Sequence, residues 1–413
     1  MKRYFYVVQK VAEISRDENP HFLTKLATWA ATFSHSAVLN SNNYNDKFGK
    51  FELLAGVGAV KILKNGSLLA SRELATENRS WLFGHIGYDY KNQIEKLNSR
   101  HSDDFNFGDL TFFEPKFVVL QKRDSDIVEF HSAKSNQAEV ERFLKTEFET
   151  EDQKTKLPVL TPKMTKAEYL EAIHCLKKEI QYGNIYEINY CQEFFAENAA
   201  INPVATYLAL NEKSPMPFSA FYKNEEEYLI CASPERYIKK SGNKIYSQPI
   251  KGTIKRGNSA DEDEALKKQL INDLKEQTEN VMIVDLVRND LSRTAAVGSV
   301  EVDELFGVYQ FPQVFQLIST VSSKLKREFD LIDILQTSFP MGSMTGAPKI
   351  SAMKLADEYE QSKRGLYSGT VGYITPTGDA DFNVVIRSLQ YSAESKYLSV
   401  MVGGAITQMA EPE

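Results

Sequence analysis

The stretch from Thr165 to residue 195 constrains the fold most. Thr165-Lys166-Ala167-Glu168 has the spacing of a capping box, in which hydroxyl and carboxylate satisfy each other's exposed backbone N–H groups. Leu170, Ile173, Leu176 and Ile180 follow at helical spacing, and Gly183 ends the helix. Residues 185–195 then read as a strand. Its period of two puts Tyr186, Ile188 and Tyr190 on one face and Glu187 and Asn189 on the other. Residues 261–296 read as a second long helical stretch, charged early and apolar later. Residues 365–402 alternate strands and turns, with strands at 365–374, 381–391 and 397–402. Residues 57–63 and 113–120 are further strand candidates. Long strands separated by long helices predict a large α+β sandwich.

The length of 413 residues would hold two or three average domains or one large one. A polar run, Glu151-Asp152-Gln153-Lys154-Thr155-Lys156, is the best internal boundary. It divides an N-terminal part, 1–150, from a second part, 151–413; the two are expected to intertwine in one globular unit. The net charge of −7 argues against a general nucleic-acid binder. An anionic substrate must therefore meet local positive groups. Cys175, Cys191 and Cys231 lack metal-ligand spacing, and reduced thiols are expected. The apolar run near Met1 is too short for a signal peptide, and no run approaches a membrane span. The cytoplasm is the expected location.

The informative motifs lie in the second part. Gln248-Pro249-Ile250-Lys251-Gly252-Thr253 places a lysine between a proline that restrains the backbone and a glycine that opens space. With it come Ala232-Ser233-Pro234-Glu235-Arg236, Asp285-Leu286-Val287-Arg288-Asn289-Asp290-Leu291, Gly342-Ser343-Met344-Thr345-Gly346-Ala347-Pro348-Lys349 and Ile386-Arg387-Ser388. In this order they resemble the chorismate-utilising enzymes: the anthranilate synthase large subunit, aminodeoxychorismate synthase component I, and the isochorismate and salicylate synthases. The resemblance covers 165–413 well and the first 150 residues weakly, where Trp81 to Tyr90 looks like the family's glycine-tyrosine segment. It implies the anthranilate synthase component I-like fold, a large two-sheet sandwich with outer helices.

Glu276 and Glu279 stand three apart on one helix, so their carboxylates share a face. The apolar run 281–284 follows, so this turn enters buried structure, where carboxylates need a cation. The resemblance implies that Glu279 and Glu276 ligate Mg2+, a hard cation suited to oxygen ligands. The family completes that site with glutamates beyond a pattern seen here as Gly403-Gly404-Ala405-Ile406 and Ala410-Glu411-Pro412-Glu413. The sequence stops there, so the metal site is expected to be incomplete. Asn280 replaces the family's usual histidine.

The resemblance makes Glu235 a general acid near the leaving hydroxyl, and a carboxyl in a partly apolar cleft holds its proton near neutral pH. Thr345, Gly346, Tyr367, Arg387, Gly403, Gly404 and Lys349 resemble the substrate cradle. Arg387, between Ile386 and Leu389 on an expected strand, needs an anionic partner, either a substrate carboxylate or a protein acid. Gly403 and Gly404 offer backbone N–H groups at close approach. The glycine-rich loop lacks Walker spacing, which excludes a phosphate loop.

Three residues bear on the reaction. Pro-Ile-Lys-Gly-Thr resembles the aminodeoxychorismate branch (para-aminobenzoate synthase large subunit), whereas anthranilate synthases carry alanine at the lysine position. Glu187 occupies a position that is lysine in the water-adding enzymes, which counts against water addition. Gln316 replaces a histidine implicated in pyruvate elimination. The resemblance thus implies amination of chorismate at C4, with Lys251 attacking C2, towards 4-aminobenzoate and folate. No glutaminase triad is visible, so a glutamine amidotransferase subunit is the expected ammonia source. The alternatives are an anthranilate synthase large subunit and a non-catalytic subunit that binds an aromatic amino acid. For the latter, Val38-Leu39-Asn40-Ser41-Asn42 faintly resembles a tryptophan-site motif.

Overall fold

A computed structural model describes residues 8–146 and 158–412. The polar run at 151–156 and the first seven residues lie outside the described residues. Among the described residues, twenty strands, all paired antiparallel, form one continuous hydrogen-bonded network with two arms. The strand Leu110–Lys122 joins them. One of its edges pairs with Phe51–Lys64. The other edge pairs with Leu82–Ile86 through residues 110–113 and with Ile127–Ser132 through residues 117–121.

The first arm continues from Phe51–Lys64 through His35–Asn40, Phe218–Asn224, Glu227–Ser233, Ser388–Ser392 and Tyr397–Ile406 to Glu187–Ala196. The second continues from Leu82–Ile86 through Thr370–Ile374, Ala380–Asn383, Arg236–Ser241 and Lys244–Gln248 to Val314–Lys324. Glu301–Gln310 and Ile250–Lys255 also pair with this last strand.

The arms lie face to face. Ala37, Leu54, Ala220, Tyr222 and Leu229 of the first pack with Phe83, Val371 and Tyr373 of the second in one apolar cluster. Outside the first arm, the helices Phe22–Ala31, Gln137–Lys145 and Pro203–Lys213 bury their apolar faces. Outside the second, Leu68–Asn78, Leu274–Ser292 and Leu331–Ser338 do the same. This is the expected two-sheet sandwich with outer helices, its sheets being arms of one network. Several central strands are covered on both faces; all seven residues of Glu227–Ser233 are buried. Such strands carry no period-two alternation.

The helix Lys166–Gln181 starts with the expected reciprocal capping box between Thr165 and Glu168. Two expectations need correction. The stretch 261–296 is not one helix: Asp273 divides it into Ala260–Asn272 and Leu274–Ser292 by turning extended and capping the second with its own carboxylate. The strand expected at 381–391 is interrupted, since only Ala380–Asn383 and Ser388–Ser392 pair. Arg387, in the break, has φ of +50°.

One buried ion network ties the arms together. Arg236, 1% exposed, donates to Asp46 at 2.5 Å and to Asp381 at 2.8 Å. Asp46 lies in the loop after a first-arm strand, and Asp381 on a second-arm strand. Removing one partner of a buried ion pair strands the others without compensation. Arg236→Leu should lower stability by about 3–5 kcal/mol, read as a shift in the urea midpoint. A loss below about 1 kcal/mol, the range of exposed pairs, would contradict this role.

Candidate functional site

The site lies where two neighbouring strands part. Tyr397–Ile406 pairs with Glu187–Ala196 from Leu398 to Ile406. On its other edge it pairs with Ser388–Ser392 only from Tyr397 to Val400. Beyond Val400 that edge is open, and the chain across the gap turns away at Arg387. A cleft of about 350 Å3 fills the opening. Its lining includes Met401 to Ala405 on one lip and Ile386 and Arg387 on the other. Pro234, Glu235, Ile250 to Thr253, Gln316, Ser343, Met344, Tyr367 and Asn189 form the rest.

Lys251 and Glu235 therefore share one cleft. Lys251 Nζ donates to Glu187 Oε1 at 2.6 Å. Both side chains are largely buried, and Glu187 Oε2 is buried without a hydrogen-bond partner. Glu235 is also buried, and its N–H donates to Ser233 Oγ at 3.1 Å. The cations next to it in sequence are committed elsewhere: Arg236 to Asp46 and Asp381, Lys239 to Asp381. Burial raises the Glu235 pKa to about 7, opposed by a hydrogen bond from Ser343 and by the charges of Lys251 and Arg387. The carboxyl thus titrates in the range useful to a general acid.

Glu276 and Glu279 lie in the first turns of the helix capped by Asp273. A Cβ built on Gly252 would stand 3.2 Å from Glu276 Oε2, which places that carboxylate beside the lysine loop. Burial raises the pKa of both glutamates, and Lys251 opposes the rise in each. Glu276 and Glu187 add to the rise at Glu279 by repulsion. Asn280 locks this helix to the sheet: Nδ2 donates to the Lys251 carbonyl at 3.2 Å, and Oδ1 accepts from Ser319 Oγ at 2.6 Å. Among the described residues, no group of three or more metal-ligating side chains is assembled. Glu276 and Glu279 are two carboxylates with a shared deficit of positive charge, which a hard divalent cation would fill.

The expected cradle is brought together in part. Arg387, Tyr367, Gly403 and Gly404 line the cleft. Arg387 does not extend from a regular strand; the left-handed turn of its backbone aims it across the gap. Among the described residues no carboxylate lies within ion-pair distance of its guanidinium, which instead meets Met216 Sδ at 3.8 Å. Burial lowers its pKa, and Glu235 opposes this. Thr345 lies buried behind Ser343 and Met344, its hydroxyl on the carbonyls of Met341 and Gly342. Gly346 has φ of +145°, and a Cβ there would stand 2.2 Å from the Glu187 carbonyl. This close approach pairs Gly346 with Ile188 and sets the backbone beneath Glu187.

Thr345, Gly346 and Lys349 do not line the cleft, and Lys349 stands apart from it. It opens the helix Lys349–Tyr359, and its ammonium is held by Asp290 at 2.7 Å and by the Ser338 carbonyl at 2.9 Å. It is not part of the cleft lining, because a buried carboxylate claims its charge. The sequence reading missed Asn189 and Ser343. It saw Glu187 and Gln316 only as departures from a pattern. Gln316 donates to Thr253 Oγ1 at 3.2 Å, and its Oε1 is buried without a partner.

Residues 25–413 match the family of chorismate binding enzymes. The chain is 31% identical over 345 residues to aminodeoxychorismate synthase component 1 of Bacillus subtilis, covering 80% of this chain and 73% of that protein. It is 32% identical over 333 residues to the protein of the same name from Escherichia coli, covering 80% and 72%. Among solved structures, anthranilate synthase component I from Streptococcus pneumoniae superposes with a TM-score of 0.73 at 22% identity, covering 100% of this chain and 89% of the other. The menaquinone-specific isochorismate synthase of Escherichia coli gives 0.77 at 16% identity, covering 98% and 91%. At such identities the superpositions establish the fold.

The Glu235 carboxyl makes a direct test of the site's electrostatics. Difference infrared spectroscopy against Glu235→Gln should show its protonated C=O band disappearing with a midpoint at about pH 7. Ser343→Ala, which removes a hydrogen bond that lowers the pKa, should move the midpoint upward. A midpoint near the ordinary glutamate value of about 4.3 would show an open, hydrated carboxylate instead.

Proposed function

The chain belongs to the chorismate binding enzyme family, and on that premise we propose that it transfers ammonia to C4 of chorismate. The product is 4-amino-4-deoxychorismate, the precursor of 4-aminobenzoate and folate, and the role is that of aminodeoxychorismate synthase component I. One observation carries the reading: Lys251 and a Glu235 poised near neutrality face one cleft, beside an Arg387 that has no ion-paired carboxylate among the described residues. Arg387 takes one substrate carboxylate as a charge-assisted pair. The open edge at Gly403 and Gly404 offers backbone to the other.

In the first step Lys251 Nζ, as the free amine, bonds to C2. The two ring double bonds each shift by one position, the C4–O bond breaks, and Glu235 gives its proton to the departing hydroxyl, which leaves as water. In the second step ammonia bonds to C4, the double bonds return, and Lys251 leaves C2 with its electron pair. Glu235 takes the surplus proton from the new amine. Occupying C2 covalently directs ammonia to C4.

Mg2+ fits the two glutamates by chemistry. Glu276 and Glu279 would hold it, and it would supply a positive bridge for a substrate carboxylate. The relatives' designation as component 1 supports a separate component, and a glutamine amidotransferase subunit is the partner that the reading calls for. The described residues contain no helix long and apolar enough to cross a membrane, and the proposed setting is the cytoplasm. Strand pairings between 35–40 and 218–224, and between 82–86 and 370–374, support residues 1–150 and 151–413 forming one intertwined unit. An anthranilate synthase is the weaker reading, because the two relatives named above, at 31% and 32% identity, carry the aminodeoxychorismate name and Lys251 takes the alanine position.

Purified chain with chorismate, Mg2+ and ammonium should yield 4-amino-4-deoxychorismate, detected as 4-aminobenzoate after adding the lyase that releases it. Lys251→Ala should lose about 10²- to 10⁴-fold of that rate while still binding chorismate. Fluorescent anthranilate without the lyase, or wild-type turnover by the variant, would overturn the assignment.

The metal is tested separately. Glu279→Ala should weaken Mg2+ binding in titration calorimetry and abolish turnover without unfolding the chain. Excess chelator should silence the wild type, reversibly. Full turnover in chelator would remove the metal from the account.

A further inference from the structure

We propose that Glu187 is the proton acceptor that turns Lys251 into a nucleophile, and that it returns the proton when the lysine is released. The inference rests on the amination reading above, because it assigns a role only if Lys251 attacks the substrate. A lysine must be neutral to attack, and a chain that buries it has to provide somewhere for the proton to go. Glu187 Oε1 lies 2.6 Å from Lys251 Nζ, within direct transfer distance.

Its location is built, not incidental. Glu187 is 1% exposed at the start of a strand, on backbone seated by Gly346, so its carboxylate does not swing to solvent. Its second oxygen is buried and unpartnered. A carboxylate placed only to hold an ammonium would normally have that oxygen satisfied as well. The other charges around the pair are Glu276, Glu279 and Lys275 from the helix, Glu235 from the floor of the cleft, and Arg387 from the opposite lip. Glu235 is committed as the acid at C4, and the two helix glutamates make no ion pair with Lys251. Among the described residues, Glu187 is the carboxylate paired with Nζ.

The proton count closes. The resting pair is ammonium and carboxylate. Transfer gives amine and carboxylic acid, and the amine forms the C2–N bond. The bonded nitrogen carries two hydrogens and leaves C2 as a neutral amine when ammonia enters. The acid of Glu187 then hands its proton back, which regenerates the resting pair. No outside base is consumed.

The test compares wild type, Glu187→Gln, Glu187→Asp and Lys251→Ala across pH, at fixed free ammonia, after circular dichroism has checked their folds. Glu187→Gln should lose about 10²-fold in kcat while KM for chorismate stays near the wild-type value. Its pH profile is the diagnostic. Below about pH 7, where Glu235 keeps its proton, the wild type should be level because the transfer is internal. The glutamine variant must release the lysine proton to water, so its rate should climb about tenfold per pH unit over the same range. Glu187→Asp keeps a carboxylate one methylene shorter, and should be slower but level.

A glutamine variant slowed equally at all pH values, or one with wild-type rate and profile, would overturn the proposal while Lys251→Ala remains inactive. Should the glutamine variant fail to fold, a climbing profile in Glu187→Asp would overturn it and a level one would support it. Wild-type turnover by Lys251→Ala would instead remove the nucleophile reading itself.

Discussion

The cleft depends on an interruption in a sheet. Tyr397–Ile406 keeps one neighbour to its end and loses the other after Val400. Backbone hydrogen bonds hold neighbouring strands about 4.8 Å apart, so a paired edge leaves no room for a ligand. Turning the chain away at Arg387 opens the edge without unravelling it. The left-handed φ there costs on the order of 1 kcal/mol and persists because the flanking segments are paired on both sides. The same turn delivers the cation that the opening requires.

Charge explains why the cleft needs so few cations. The chain carries −7 overall, so attraction of an anion has to be local. Lys251 is neutralised by Glu187, and Glu276 and Glu279, behind the lysine loop and not in the cleft lining, outnumber the Lys275 charge beside them. Among the described residues that line the cleft, Arg387 across the gap is the cation without a paired carboxylate. An anion in the cleft meets Arg387 directly and the excess negative charge of the two helix glutamates at a remove. A divalent cation on the two glutamates would convert that repulsion to attraction. Lysine and arginine are not exchangeable here: the planar guanidinium grips a carboxylate in two places, and the ammonium gives up its proton far more readily.

Much of this was legible in the sequence, for physical reasons that differ by element. The helix Lys166–Gln181 was legible because its capping box and apolar spacing are local. Lys251, Glu235 and the glutamates of the capped helix were legible through motif resemblance. The break at Asp273 was not, because aspartate in a charged stretch reads equally as helix surface and as cap. The turn at Arg387 was not, since residues 384–386 are apolar and read as continued strand. The hold of Asp290 on Lys349 was not legible, because the two lie 59 positions apart and ion pairing at that separation leaves no local trace. The same holds for Glu187 and Lys251, 64 positions apart. The sequence marked Glu187 as unusual, and only the pairing of strands showed what it touches.

The central claim is that Lys251, lodged in the opened sheet edge, bonds to the substrate. Its most direct test is to mix the wild-type chain with chorismate and Mg2+ without ammonia, quench in acid, digest, and sequence the peptides by tandem mass spectrometry. The account predicts an added mass of chorismate less one water, carried by Lys251. An unmodified Lys251 peptide under conditions in which added ammonia yields product would contradict it.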